Sequence, residues 1–150
     1  RFKSKKNTNG AKIDIVARKS LKEINLDYPH GTGHGVGYFL NVHETPPLIS
    51  LMSKEKFYEG QIVSNEPGFY KKGKFGFRIE NLIYIEKNKK KLRFNNLTMA
   101  PYDKNLINKK ILTKKEIQQI NLYHSIVCEN LKFFMNQKEL KFLINACSPL

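Results

Sequence analysis

Three of the four histidines in the 150-residue chain, His30, His34 and His43, fall within fourteen positions of one another. The first two lie in Tyr28-Pro-His-Gly-Thr-Gly-His-Gly-Val-Gly37, where glycine occupies 31, 33, 35 and 37. No regular helix carries that density of glycine without a large entropic cost, so the segment reads as a loop or an irregular strand. The spacing of His30 and His34 echoes the second half of a zinc finger, but the cysteine half is missing and the glycines forbid the helix. A phosphate cradle fits no better: the glycines match neither Gly-x-Gly-x-x-Gly nor a Walker loop, and no Lys-Ser or Lys-Thr follows. Any one of these histidines, taken singly, also suits an ordinary core or surface position. Two carboxylates change the balance. Glu66 in Asn-Glu-Pro-Gly and Glu80 in Arg-Ile-Glu-Asn stand in strand contexts that read as buried. An inward carboxylate is costly unless paired or metal-bound, so a histidine with two glutamates suggests a cation site.

Three strings occur in order: HGTGHGVGYFLNVHE at 30–44, EGQIVSNEPGFY at 59–70 and GKFGFRIENLIYIEK at 73–87. Together they resemble the motif series of the pita-bread metallopeptidases, and of aminopeptidase P in particular. The resemblance implies an α+β fold, part of a pita-bread catalytic domain, and implies metal ligands at His34, Glu66 and Glu80. It also implies that His30 lines the pocket for a proline ring and that His43 donates a hydrogen bond to the scissile carbonyl. Arg78 would hold the neighbouring acidic groups in place, and Glu66 would shuttle the proton. FNNLTMAPYDKNLI at 94–107 and the helix containing Asn121-Leu-Tyr-His124 look like the tail of the larger, cytosolic-type members. The expected division is therefore residues 1–100, the C-terminal half of the catalytic domain, and 101–150, a helical tail packed on it.

The family's site has five protein ligands, and its first two are aspartates on strands upstream of the histidine loop. Asp14 and Asp27 are the only aspartates before that loop, and neither has a fitting context. The expectation is that a preceding part of the same protein, which the start at Arg1 also suggests, supplies both, and that this segment alone is inactive. The complete protein would hydrolyse the bond between an N-terminal residue and proline in peptides. It would use two divalent ions: the mix of oxygen and imidazole ligands favours Mn, Zn, Co or Fe over a thiolate-seeking metal, and the dominance of carboxylates, with the resemblance, favours Mn2+ over Zn2+ or Co2+. A homodimer follows from the resemblance. The alternatives are a prolidase, which cleaves Xaa-Pro dipeptides, and a non-catalytic pita-bread binding module.

The elements that must carry these residues are readable in outline. Ile13, Val16, Ala17, Leu21 and Ile24 recur at steps of three and four, a helix burying one face. Gln61 to Glu66 reads as a strand, with a turn at Pro67-Gly68. Phe75 to Ile85 alternates with period two, which predicts one central strand with Phe75, Phe77, Ile79, Ile83 and Ile85 on one face and Arg78, Glu80, Leu82 and Tyr84 on the other. A turn is expected over Lys87 to Arg93 and an extended segment over Phe94 to Tyr102. Thr113-Lys-Lys-Glu116 is a capping box for a helix with Ile117, Ile120, Val127, Leu131 and Phe134 on its apolar side, followed by a shorter helix over Lys138 to Ala146.

A net charge of +14 raises the question of nucleic acid or anionic membranes. The lysines occur in short runs spread along the chain beside Asn or Gly, the pattern of solvated loops, so neither partner is expected. Two cysteines, Cys128 and Cys147, form no Cys-x-x-Cys pair, which excludes a zinc ribbon and suggests a reducing compartment. No run of residues is apolar enough to span a bilayer, and residues 1–10 lack the apolar core of a signal peptide, so a cytoplasmic location is expected.

Overall fold

The computed structural model describes residues 8–38, 41–89 and 91–150. The chain divides into two compact units, one ending at Thr98 and the other running from Met99 to Leu150.

In the first unit, helix α1 (Gly10–Lys22) starts where the Asn9 side chain accepts a hydrogen bond from Lys12 N–H. Strands β1 (Gly33–Gly35), β2 (Glu44–Ile49) and β3 (Ile62–Asn65) follow, then a two-stranded hairpin of β4 (Gly68–Lys71) and β5 (Phe75–Arg78), then β6 (Asn81–Asn88) and β7 (Lys91–Asn96). Five of the strands form an antiparallel sheet in the order β2-β1-β3-β6-β7. Its core-facing residues, Ile49, Val63, Ile83 and Ile85, pack with Ile13 of α1 and with Phe57, and Leu92 and Phe94 lie against this cluster.

Several sequence expectations are redrawn. The buried stripe of α1 is Gly10, Ile13, Asp14 and Arg18, while Val16 is 54% and Ile24 63% exposed. Charged residues turn inward there because Arg18 pairs with Asp14 one helical turn away at 2.7 Å. The expected single strand over 75–85 is two, interrupted at Ile79 and Glu80. Phe75 and Phe77 belong to the exposed hairpin and Ile79 to the break, and none shares a face with the buried Ile83 and Ile85. Glu80 is accordingly exposed, not buried, and the desolvation argument applies to Glu66 alone. Lys87 to Arg93 is mostly strand, since β6 and β7 pair out to Asn88 and Lys91, so the extended segment runs from Lys91 to Asn96 and not on to Tyr102.

In the second unit, the Thr113–Glu116 capping box opens helix α2 (Lys114–Leu131) as expected. Asn136 and Glu139 form another box for α3 (Gln137–Cys147). Tyr123, Val127, Leu143 and Cys147 make the core between these helices. Phe134 falls in a 3-10 turn, Lys132–Phe134, which rotates it off the helix face and leaves it exposed. Both cysteines are free, and burial pushes the Cys147 thiol up from its usual pKa. No helix among the described residues is long and apolar enough to cross a membrane.

His124 is fully buried on α2, and its Nε2 accepts the Tyr102 N–H at 3.0 Å. The ring is therefore neutral with its hydrogen on Nδ1. Burial first, and nearby Lys104 second, lower its pKa. Folding thus refuses a proton that the unfolded chain accepts. The resulting stability is whole above the ordinary imidazole value of about 6.5 and is lost as the pH falls through the lowered folded value. Denaturant midpoints read by circular dichroism should fall between pH 7.5 and pH 5, and His124→Gln should flatten that slope; an equal slope in the variant would remove His124 as its source.

Candidate metal centre

Strand β1 is short and almost without side chains, and this allows it to lie hard against β3. A Cβ on Gly33 would stand 1.9 Å from the Ser64 carbonyl oxygen, an impossible contact. That proximity places three hydrogen bonds in series. His34 N–H donates to Ser64 Oγ at 2.9 Å, Ser64 Oγ donates to Glu66 Oε1 at 2.9 Å, and Glu66 N–H donates to the Thr32 carbonyl at 2.8 Å. The backbone of one prospective ligand and the carboxylate of another are thus joined through one buried hydroxyl.

His34 Nδ1 lies 2.9 Å from the carbonyl of Gly35, which can only accept, so Nδ1 carries the hydrogen and Nε2 presents a lone pair. That lone pair faces Glu66 Oε1 at 3.3 Å. Two acceptors at this range repel unless a cation or a proton lies with them. Ligand atoms of His34, Glu66 and Glu80 all lie within 4.8 Å of one another, the one such group of three or more among the described residues. One imidazole and two carboxylates fit a divalent ion of the Mn, Zn or Co kind and not a thiolate-seeking one.

Arg78 Nη1 donates to Glu66 Oε2 at 3.0 Å, leaving the buried carboxylate with a donor on each oxygen. Its Nε donates to the Tyr70 hydroxyl at 3.0 Å, and that hydroxyl lies 2.8 Å from His30 Nε2. Because His30 Nδ1 gives its hydrogen to the Gly31 carbonyl at 2.7 Å, the relay runs in one direction: Arg78 to Tyr70, Tyr70 to His30. The bond to Tyr70 first, then the nearby Glu66 and Glu80 charges, raise the Arg78 pKa and keep it a cation. The His43 ring stands 4.3 Å from that of His34, centroid to centroid.

His30, His34, His43, Glu66 and Arg78 line one cleft of about 370 Å³. Glu80 reaches His34 and Glu66 from the exposed break between β5 and β6. The residue types and spacing did not single out Ser64 or Tyr70. Ser64 could have been found as the same-face neighbour of Glu66 two positions along a strand; Tyr70 carries no comparable signal.

Residues 3–87 match metallopeptidase family M24, and residues 90–150 match the C-terminal region of peptidase M24. The chain belongs to family M24. This M24 chain is 43% identical to Xaa-Pro aminopeptidase 1 of Dictyostelium discoideum, across 95% of its own length and 25% of that protein. It spans about a quarter of the length of the curated relatives it matches. A solved X-prolyl aminopeptidase from Caenorhabditis elegans, described as a cytosolic enzyme with a di-nuclear active site, covers 100% of the M24 chain at 37% identity and a TM-score of 0.88, over 26% of that enzyme. Prolidase from Pyrococcus furiosus covers 61% at 32% identity and a TM-score of 0.52, over 26% of its chain. The fold is thus that of the pita-bread aminopeptidases.

Removing the Ser64 hydroxyl would strand the His34 N–H in a buried place. Ser64→Ala should cost about 1–3 kcal/mol in denaturant unfolding, and an unchanged midpoint would show that the bond contributes nothing.

Proposed function

We propose that this chain is part of an Xaa-Pro aminopeptidase in which His34, Glu66 and Glu80 are metal ligands. The observation that carries the reading is the convergence of these three ligand atoms within 4.8 Å. Two further aspartate ligands come from a preceding part of the same protein, and the segment alone is inactive. Residues 1–100 serve as half of the catalytic domain and 101–150 as its tail. A pair of divalent ions, Mn2+ in preference to Zn2+ or Co2+, would supply Lewis acidity and lower the pKa of a bound water. The enzyme is a cytosolic homodimer acting on proline-containing peptides.

The chain's own residues have separable tasks. Glu66, whose orientation is held by Ser64 and Arg78, takes a proton from the attacking water and returns it to the proline nitrogen as the C–N bond breaks. That nitrogen bears no hydrogen in an Xaa-Pro peptide, so selection rests on ring shape. His30, braced by Tyr70, forms a wall of the proline pocket. His43 is exposed beside His34 and donates to the carbonyl oxygen as it gains charge.

What favours the aminopeptidase over the prolidase reading is that a relative matched over 95% of the chain at 43% identity is named Xaa-Pro aminopeptidase 1. A non-catalytic module would have no need to keep all three ligands of this half.

In the full-length protein, Glu80→Gln should lose about one of two metal equivalents with little change in folding; two retained equivalents would remove Glu80 from the ligand set. His43→Ala should lower kcat by about 10²–10³ with metal content intact, whereas metal loss would make His43 a ligand. Hydrolysis of Xaa-Pro-Pro tripeptides is expected, and cleavage of Xaa-Pro dipeptides alone would favour the prolidase.

A further inference from the structure

The most buried ionic group in the first unit takes no part in the chemistry described above. Asp14 and Thr32 are fully buried and Arg18 is 6% exposed. From α1, Arg18 Nε donates to Asp14 Oδ2 at 2.7 Å, and Nη1 donates to Asp27 Oδ1 at 2.7 Å and to the Tyr28 carbonyl at 2.8 Å. Its Nη2 donates to the His30 carbonyl, and the guanidinium lies 4.0 Å from the centre of the Tyr28 ring. The other Asp14 oxygen accepts the Thr32 hydroxyl, which is also bonded to the Tyr28 hydroxyl. Every partner of Arg18 except Asp14 thus lies in residues 27–30, where the chain enters the histidine loop.

Such a cluster is a poor device for stability alone. Two charges taken out of water recover little beyond what apolar side chains of the same volume would contribute. What apolar side chains cannot do is bind main-chain carbonyls at Tyr28 and His30 in fixed directions. Thr32, at the far end of the cluster, passes the constraint on. Its N–H donates to the Ile49 carbonyl and its carbonyl accepts the Glu66 N–H, each at 2.8 Å. A continuous path of hydrogen bonds therefore runs from α1 to His30 directly and to Glu66 through Thr32.

We infer that Arg18, with Asp14 as its counter-charge, is a positioning residue that fixes the main chain of Tyr28 to Thr32 and so sets His30 in the cleft. The catalytic consequence rests on the aminopeptidase reading above; the structural clamp does not. The planar fork is essential to the role, since four acceptors around one side chain match the guanidinium and exceed what a single ammonium reaches.

The test is Arg18→Lys in the full-length, metal-loaded protein, which keeps the charge beside Asp14 and removes the fork. Metal content and fold should persist while kcat/KM on an Xaa-Pro-Pro peptide falls about 10–100-fold, the scale of a small misplacement of a site group. In a His30→Ala background the same change should cost less than about threefold, because residues acting through one another are non-additive. Amide hydrogen exchange should quicken over residues 28–35 and stay unchanged over 81–96. Activity within about twofold of the parent, an equal loss with and without His30, or unchanged exchange over 28–35 would overturn the inference. If the parent itself cleaves no Xaa-Pro bond, the aminopeptidase reading fails and exchange alone decides the clamp. Should Arg18→Lys not fold, Asp27→Ala removes only the part-exposed arm. A loss of about two- to fivefold that vanishes without His30 would support the inference, and a loss that persists would refute it.

Discussion

The close approach of β1 to β3 is the constraint on which the site depends. Two strands can come this near only where one of them lacks side chains, and Gly33 meets the Ser64 carbonyl at a distance that no Cβ could occupy. Without that contact the Ser64 hydroxyl would not lie between the His34 N–H and the Glu66 carboxylate. The glycine repeat is therefore a packing device first, and the ligand geometry follows from it.

The burial of Glu66 becomes affordable through what surrounds it. Its backbone is tied to Thr32, one carboxylate oxygen accepts from Ser64 and the other from Arg78. These donors fix the carboxylate's plane and leave Glu66 Oε1 facing His34 Nε2 at 3.3 Å. An arrangement of acceptors held in place by donors behind them is what a cation site requires, and rigid support of this kind is what distinguishes it from a chance cluster of acids. Glu80 contributes from outside, at a break in strand pairing, so its approach is set by the β5–β6 junction and not by burial.

The same logic divides the two units. In the first, the polar residues Asp14, Arg18 and Thr32 are buried and bonded to one another or to the main chain of residues 28–30. In the second, α2 and α3 pack through Tyr123, Val127, Leu143 and Cys147, and the polar exception, His124, is neutral and bonded to Tyr102. The high positive charge of the chain has no counterpart in the cleft chemistry, where Arg78 is the one cation among the lining residues.

What could be read from the chain alone was whatever depends on near neighbours or on the order of motifs. Glycines at 31, 33, 35 and 37 exclude a helix; Thr113 and Glu116 cap one because the bonds span three residues; His34, Glu66 and Glu80 were recognisable as a set through the three strings that carry them. Tertiary structure alone decided the rest. Period two was readable from Phe75 to Ile85 except at Asn81, yet the chain leaves one sheet and enters another at Ile79 and Glu80, because strand pairing is settled by partners elsewhere in the chain. Asp14 and Arg18 stood outside the expected apolar face of α1 and turn inward, since their acceptors and donors at residues 27–32 are supplied by a later loop. Ser64 and Tyr70 gained their roles in the same way. A hydrogen bond between residues distant in sequence leaves no periodicity to read, and only the fold brings its two ends together.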